Sequence, residues 1–224
     1  MNEDRRAGLG ALADRVFEAL IFDLDGTLID STPAVLRSWA TWMREHGLTP
    51  EDQAGHHGMP SASVVRALLP ADRQDAAIAR INELEIADVS DIVVLPGAVE
   101  ALEALRDAKN AIATSCDLRL AKARIAAAKL APPSVLVTAD DVAHGKPAPD
   151  PFLVAARRLQ VDPAHCLVVE DSLMGLQAAR AAGCATLAVI TTTPAEELVA
   201  DAVVNTLADV RFEATPDGIR VRET

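Results

Sequence analysis

The chain has 224 residues and a formal net charge of −12; 50% of its residues are apolar, 24% are charged and 3% are aromatic, with no tyrosine. That length suits one α/β core plus a small insert, and an acidic balance without any Lys/Arg cluster argues against nucleic-acid partners and against anionic membranes. Long-range repulsion also means that a phosphate-binding site in this chain needs local positive charge.

The three cysteines, Cys116, Cys166 and Cys184, are scattered with no C-x-x-C spacing, which reads as reduced core thiols in a cytoplasmic protein. Asp14, Arg15 and Glu18 interrupt any apolar leader, and no run approaches transmembrane length. A monomer is the favoured form.

Residues 1–14 read as a charged extension with a short helix near Leu9–Ala13, and Val16–Asp23 is the first strand, an apolar run ending in acid. A helix follows from Ser31 to His46, with Ser31 as N-cap, Pro33 in its first turn and Gly47 as its stop. Ser61–Leu69, opened by a serine N-cap, and Ala71–Ala87, with apolar residues at Ala77, Ile78, Ile81, Leu84 and Ile86, are further helices. No strand interrupts them. Residues 32–95 therefore read as an all-helical insert, and 1–31 with 96–224 as the core.

Strands and helices then alternate. Helix Gly97–Ala108 precedes strand Asn110–Thr114, helix Leu118–Leu130 precedes Val135–Val137, and helix Pro151–Leu159 precedes Cys166–Glu170. Helix Ser172–Ala182 leads to Ala185–Ile190, and short strands near Ala202–Val204 and beyond are expected to continue the sheet. This pattern gives a parallel sheet with helices on both faces.

Ligands of such a sheet bind outside the carboxyl ends of its strands. Those ends carry Asp23 with Asp25, Thr114 with Ser115, and Glu170 with Asp171, and Lys146 follows the Val135–Val137 strand. Asp23 and Asp25, two apart, project to one side. An ionised carboxylate can attack phosphorus, and a second carboxyl can protonate the leaving oxygen and then activate water. Carboxylate and carbonyl oxygens suit magnesium. Taken singly, each residue has a plainer reading: a turn aspartate, a solvated lysine, a strand threonine, a helix N-terminal charge pair. Cys116 has no evident base to activate it and reads as packing.

The string FDLDGTLIDS, spanning 22–31, resembles the first motif of the haloacid-dehalogenase-like phosphohydrolase superfamily. Ala113-Thr114-Ser115 is similar to its second motif, Lys146 in HGKPAPDPF to its third, and VVEDS to its fourth, so the resemblance runs from about Arg15 to Ile190. It implies a Rossmann-like core with a helical cap and a magnesium-dependent phosphatase acting on a small phosphorylated metabolite. In that family pattern Asp23 is the nucleophile and Asp25 the acid/base. Thr114 and the Ser115 N–H hold the phosphoryl group, and Lys146 neutralises charge. Asp23, the Asp25 carbonyl and Asp171 bind magnesium, with Glu170 close by or bridged by water.

The segment His56-His57-Gly58-Met59-Pro60-Ser61 looks like the cap's specificity loop of sugar and polyol phosphatases. No arginine stands at 59–61, which weighs against a β-phosphoglucomutase, the main alternative, unless Arg66 faces the crevice. A dehalogenase has no need of Asp25 or the Glu170-Asp171 pair, and a phospho-receiver is poorly served by an acid/base.

Overall fold

The computed structural model describes residues 8–49, 52 and 59–224. His56, His57 and the first seven residues lie outside the described residues.

Six parallel strands form the central sheet: β1 (Ala19–Phe22), β4 (Asn110–Ala113), β5 (Val135–Val137), β6 (Cys166–Glu170), β7 (Ala185–Val189) and β8 (Ala202–Val204), in the order β5-β4-β1-β6-β7-β8. Their apolar runs are continuous because both faces are covered. Leu20, Phe22, Leu167 and Val169 face one apolar cluster, while Ala19, Ile21, Cys166 and Val168 face another, the alternation that a strand imposes. Helices α4 (Ala98–Ala104) and α5 (Leu118–Ala127) pack on the first side; α6 (Asp150–Leu159) and α7 (Leu173–Ala181) pack on the second. In α6, Phe152, Ala155, Ala156 and Leu159 supply the buried stripe.

Two short strands, β2 (Ile29–Asp30) and β3 (Val93–Val94), pair antiparallel. Between them run α1 (Thr32–His46), α2 (Ser61–Leu68) and α3 (Ala71–Ala87), which share their own apolar cluster around Trp39, Trp42, Val65 and Ile81. Trp42 is fully buried, and its Nε1–H donates to the Ala77 carbonyl at 2.9 Å. Arg37 forks onto Asp88 and Asp91, each at 2.8 Å, tying α1 to the chain leaving α3.

Several local expectations are corrected. Ser31 occupies the N-cap position of α1 but makes no capping bond, and α2 is preceded by Pro60 rather than capped by Ser61; both hydroxyls donate to carboxylates instead. The first strand begins at Ala19, and α5 ends at Ala127, before Lys129 turns to a φ of 54°. Beyond β8 the chain does not extend the sheet. It forms an antiparallel hairpin of β9 (Val210–Thr215) and β10 (Gly218–Glu223), whose Phe212, Ile219 and Val221 cover the cluster holding Phe22. Antiparallel pairing follows from the short Pro216–Asp217 connection, since a parallel partner needs a long crossover.

Trp42→Ala is expected to cost about 3–5 kcal/mol, read as a lower midpoint in urea denaturation. A loss under about 1 kcal/mol contradicts the role of this indole as the centre of the three-helix cluster.

Candidate active site

The sheet's carboxyl edge gathers the strand-end residues around one cavity of about 540 Å3, roofed by α1, α2 and α3. Asp23, Asp25, Thr114, Ser115, Lys146, Glu170 and Asp171 all line it. Asp23 follows β1, held by its N–H to the Val169 carbonyl at 2.9 Å; Thr114 follows β4, held by its N–H to the Val137 carbonyl at 2.9 Å.

Lys146 is 3% exposed, with its ammonium on Oδ1 of Asp23 and, at 2.8 Å, on Oε2 of Glu170. The ring of Phe152 lies 5.3 Å from its Nζ. Glu170 is fixed at its other oxygen, Oε1, by the N–H of Ser172 at 3.1 Å and its hydroxyl at 2.8 Å. Gly175 is required here, because a Cβ at that position would collide with the Glu170 carboxyl. Asp171 takes the hydroxyls of Thr27, at 3.3 Å, and of Thr192. Gly26, at a φ of 85°, lets the chain turn past Asp171, which an added Cβ would strike.

Asp23, Glu170 and Asp171 are all buried, and each offers a carboxylate oxygen within 4.8 Å of the others. When ionised, three carboxylates against one ammonium leave two excess negative charges in a buried space. Hard oxygen donors with that excess fit a divalent cation such as magnesium. The titration behaviour agrees. Burial, then Glu170, push the Asp23 carboxyl up to about 8, against the opposing effect of Lys146. Burial, Glu170 and Asp23 likewise hold Asp171 well above the usual carboxylate range. Burial works against the charge on Lys146, yet Asp23 and Glu170 outweigh it and raise its pKa.

The carboxylate of Asp25 is not part of this trio. It accepts from the Ser31 hydroxyl at 2.6 Å and pairs with Nη1 of Arg124 at 2.9 Å, both at Oδ1, and meets the Cys116 thiol at 3.1 Å at Oδ2. Cys116 is therefore a neighbour of Asp25 rather than packing alone, and burial raises its thiol well above the ordinary range, so it is no nucleophile. Arg124, Glu85, Thr192 and the Ser31 hydroxyl escape the motif reading. For Arg124 and Glu85 a signal existed: each falls at a buried position of its helix, beside Leu120, Ala121 and Ile125 in α5 and four residues after Ile81 in α3. Arg66 borders the cavity, exposed.

The model of the haloacid dehalogenase-like hydrolases matches residues 17–183. The chain belongs to that family. Among curated relatives, hexitol phosphatase A of Escherichia coli (strain K12) is 38% identical over 209 residues, spanning 90% of this chain and 96% of its own length. A fructose-1-phosphate phosphatase of the same strain is 33% identical over 75% of this chain and 93% of its own. A solved hydrolase from Pseudomonas syringae superposes with a TM-score of 0.77 at 28% identity, covering 86% of this chain and 95% of that one. The protein has a Rossmann-like parallel core with a helical cap. Among the described residues no helix is long and apolar enough to cross a membrane.

A carboxyl whose folded pKa lies above its unfolded value holds its proton more tightly in the folded state. The stability this gives is complete below 3.8 and is lost as pH rises through about 8. In the presence of a chelator the melting temperature is therefore expected to fall across that window, and a divalent cation is expected to restore it by an amount that grows with pH. A gap between the two melting curves that stays flat with pH contradicts the cluster as the cation site.

Proposed function

We propose that the chain is a magnesium-dependent phosphoric monoester hydrolase that releases phosphate from a small phosphorylated sugar or polyol through an acyl phosphate on Asp23. The observation carrying this reading is the buried cluster in which Lys146 bridges Asp23 and Glu170 beside Asp171, at the floor of a cavity that Asp25 also lines. The names of the two bacterial relatives support the substrate class, and the cavity is large enough for a hexitol phosphate.

In this reading residues 32–95 are a cap over a core of 1–31 and 96–224. A carboxylate oxygen of Asp23 attacks phosphorus, the bond from phosphorus to the ester oxygen breaks, and that oxygen takes a proton from Asp25. Water then attacks the acyl phosphate and gives its proton to Asp25; phosphate leaves and Asp23 is restored. Thr114 and the N–H of Ser115 hold the phosphoryl oxygens, and Lys146 offsets their charge. Asp23, Asp171 and the main-chain carbonyl of Asp25 would hold magnesium, with Glu170 anchoring Lys146 next to it. The bound cation supplies the positive charge that lets a carboxylate approach a phosphate dianion. Closure of the cap excludes bulk water.

Arg66 on the cavity wall favours one second reading, a β-phosphoglucomutase-type mutase, because a cap arginine could grip a second phosphate. The two readings separate on a panel of phosphorylated hexitols, hexoses, glycerol and glycolate, with and without magnesium. Phosphate release many times the enzyme concentration supports the phosphatase; isomerisation of β-glucose-1-phosphate without release supports the mutase. Asp23→Asn is expected to lower kcat by at least about 10⁴-fold, and Asp25→Asn to accumulate acid-quenchable phosphoenzyme from an activated aryl phosphate. Near-normal turnover by Asp23→Asn overturns the assignment.

A further inference from the structure

Among the described residues, Lys146 and Arg124 are the buried cations, and the mechanism above uses only the first. The Arg124 side chain is 5% exposed. Nη1 lies 2.9 Å from Oδ1 of Asp25 and 3.2 Å from Sγ of Cys116; Nη2 lies 3.3 Å from Oε1 of Glu85; Nε is buried with no hydrogen-bond partner among the described residues. Glu85 belongs to α3, in the helical insert, and is itself 3% exposed at the side chain. Its second oxygen takes the Ser61 hydroxyl at 3.1 Å. Three residues earlier on the same helix, Asn82 donates to Oδ2 of Asp117, the N-cap of α5, at 3.1 Å. The helix α3 thus meets α5 through two polar bridges, one of which continues to Asp25.

An apolar pair would join two helices without the cost of burying a guanidinium and the Glu85 carboxylate. The charged arrangement does something an apolar one cannot: it fixes one oxygen of Asp25. Oδ1 takes both strong donors, Arg124 and Ser31, while Oδ2, among the described residues, meets only a thiol, a weak donor. We propose that Arg124 is a positioning residue that locks Asp25 through Oδ1, reserves Oδ2 for proton exchange with the ester oxygen, and completes that lock only when Glu85 is seated against it. Proton delivery is thereby confined to the state in which α3 lies on the core. This rests on the acid/base reading of Asp25 given above.

The test compares kcat/KM for a hexitol phosphate, whose alkoxide must be protonated as it leaves, with that for p-nitrophenyl phosphate, whose phenolate needs no proton. This parameter covers the steps through phosphoryl transfer to the enzyme, so the later role of Asp25 with water does not enter. Arg124→Met is expected to lower the hexitol value about 100-fold and the aryl value by about threefold or less, the scale of a misplaced proton donor. Glu85→Gln is expected to lower the hexitol value about tenfold with the aryl value nearly constant, and Arg124→Lys to recover part of the loss. Adding Glu85→Gln to Arg124→Met is expected to change little, since both act through one contact.

Equal losses on both substrates, or no loss on the hexitol ester, overturn the proposal. If Arg124→Met does not fold, the ratio is read from Arg124→Lys and Glu85→Gln, and the same two results overturn it there. Asp25→Asn is the control. If it leaves the ratio unchanged, the acid/base reading itself falls; if it shifts the ratio while the Arg124 and Glu85 variants do not, only the positioning role falls.

Discussion

One ammonium group, that of Lys146, sits between two buried carboxylates, and the site is arranged around that contact. Removing one partner of a buried ion pair costs about 3–5 kcal/mol, a large part of the roughly 5–15 kcal/mol that keeps a domain folded. The fold offsets this by supplying donors from independent elements. The start of α7 gives Glu170 two backbone N–H groups and the Ser172 hydroxyl, while Thr27 and Thr192, from separate loops, hold Asp171. Three carboxylates converge only because β1 and β6 are neighbours in register, Phe22 beside Val169, so that both chains exit at the same height. The cluster is then a consequence of strand order as much as of motif residues.

A second charge centre lies where the cap meets the core. Lys146 faces Asp23, and Arg124 faces Asp25. The two acids of the D-x-D pair, separated by one residue, are thus placed in different electrostatic surroundings. The first is crowded by like charge and burial, which suits the cation-binding role proposed for it. The second is gripped by a guanidinium and a hydroxyl, which suits the fixed aim proposed for it. Sequence spacing brings both to one cavity; in the proposed reaction their neighbours divide the labour.

The alternating core and its seven motif residues are legible in the sequence because each sits at a strand exit or in a short ordered loop, and a parallel sheet sends its exits to one edge. What is not legible depends on partners remote in sequence. Ser31 and Ser61 look like helix caps to a local reading, yet their hydroxyls are taken by Asp25 and by Glu85, 24 residues on from Ser61; side-chain donors bond whichever acceptor the fold presents. Glu85 and Arg124 read locally as ordinary helix charges, although each interrupts a buried stripe. A charge at such a position implies a buried partner, and here each supplies the other's. The β9–β10 hairpin reads as more sheet because strand propensity does not state a pairing direction, whereas the Pro216-Asp217-Gly218 turn does.

The proposed chemistry stands or falls with passage of the phosphoryl group through Asp23. To catch it there, enzyme, magnesium and a fast aryl phosphate are mixed, quenched within the first turnovers, reduced with borohydride and mapped by mass spectrometry. An acyl phosphate, reduced to homoserine, is expected at position 23 and is expected to be missing without substrate. Reduction at another carboxylate, or phosphate release with none trapped anywhere under conditions of a clear kinetic burst, would rule that route out.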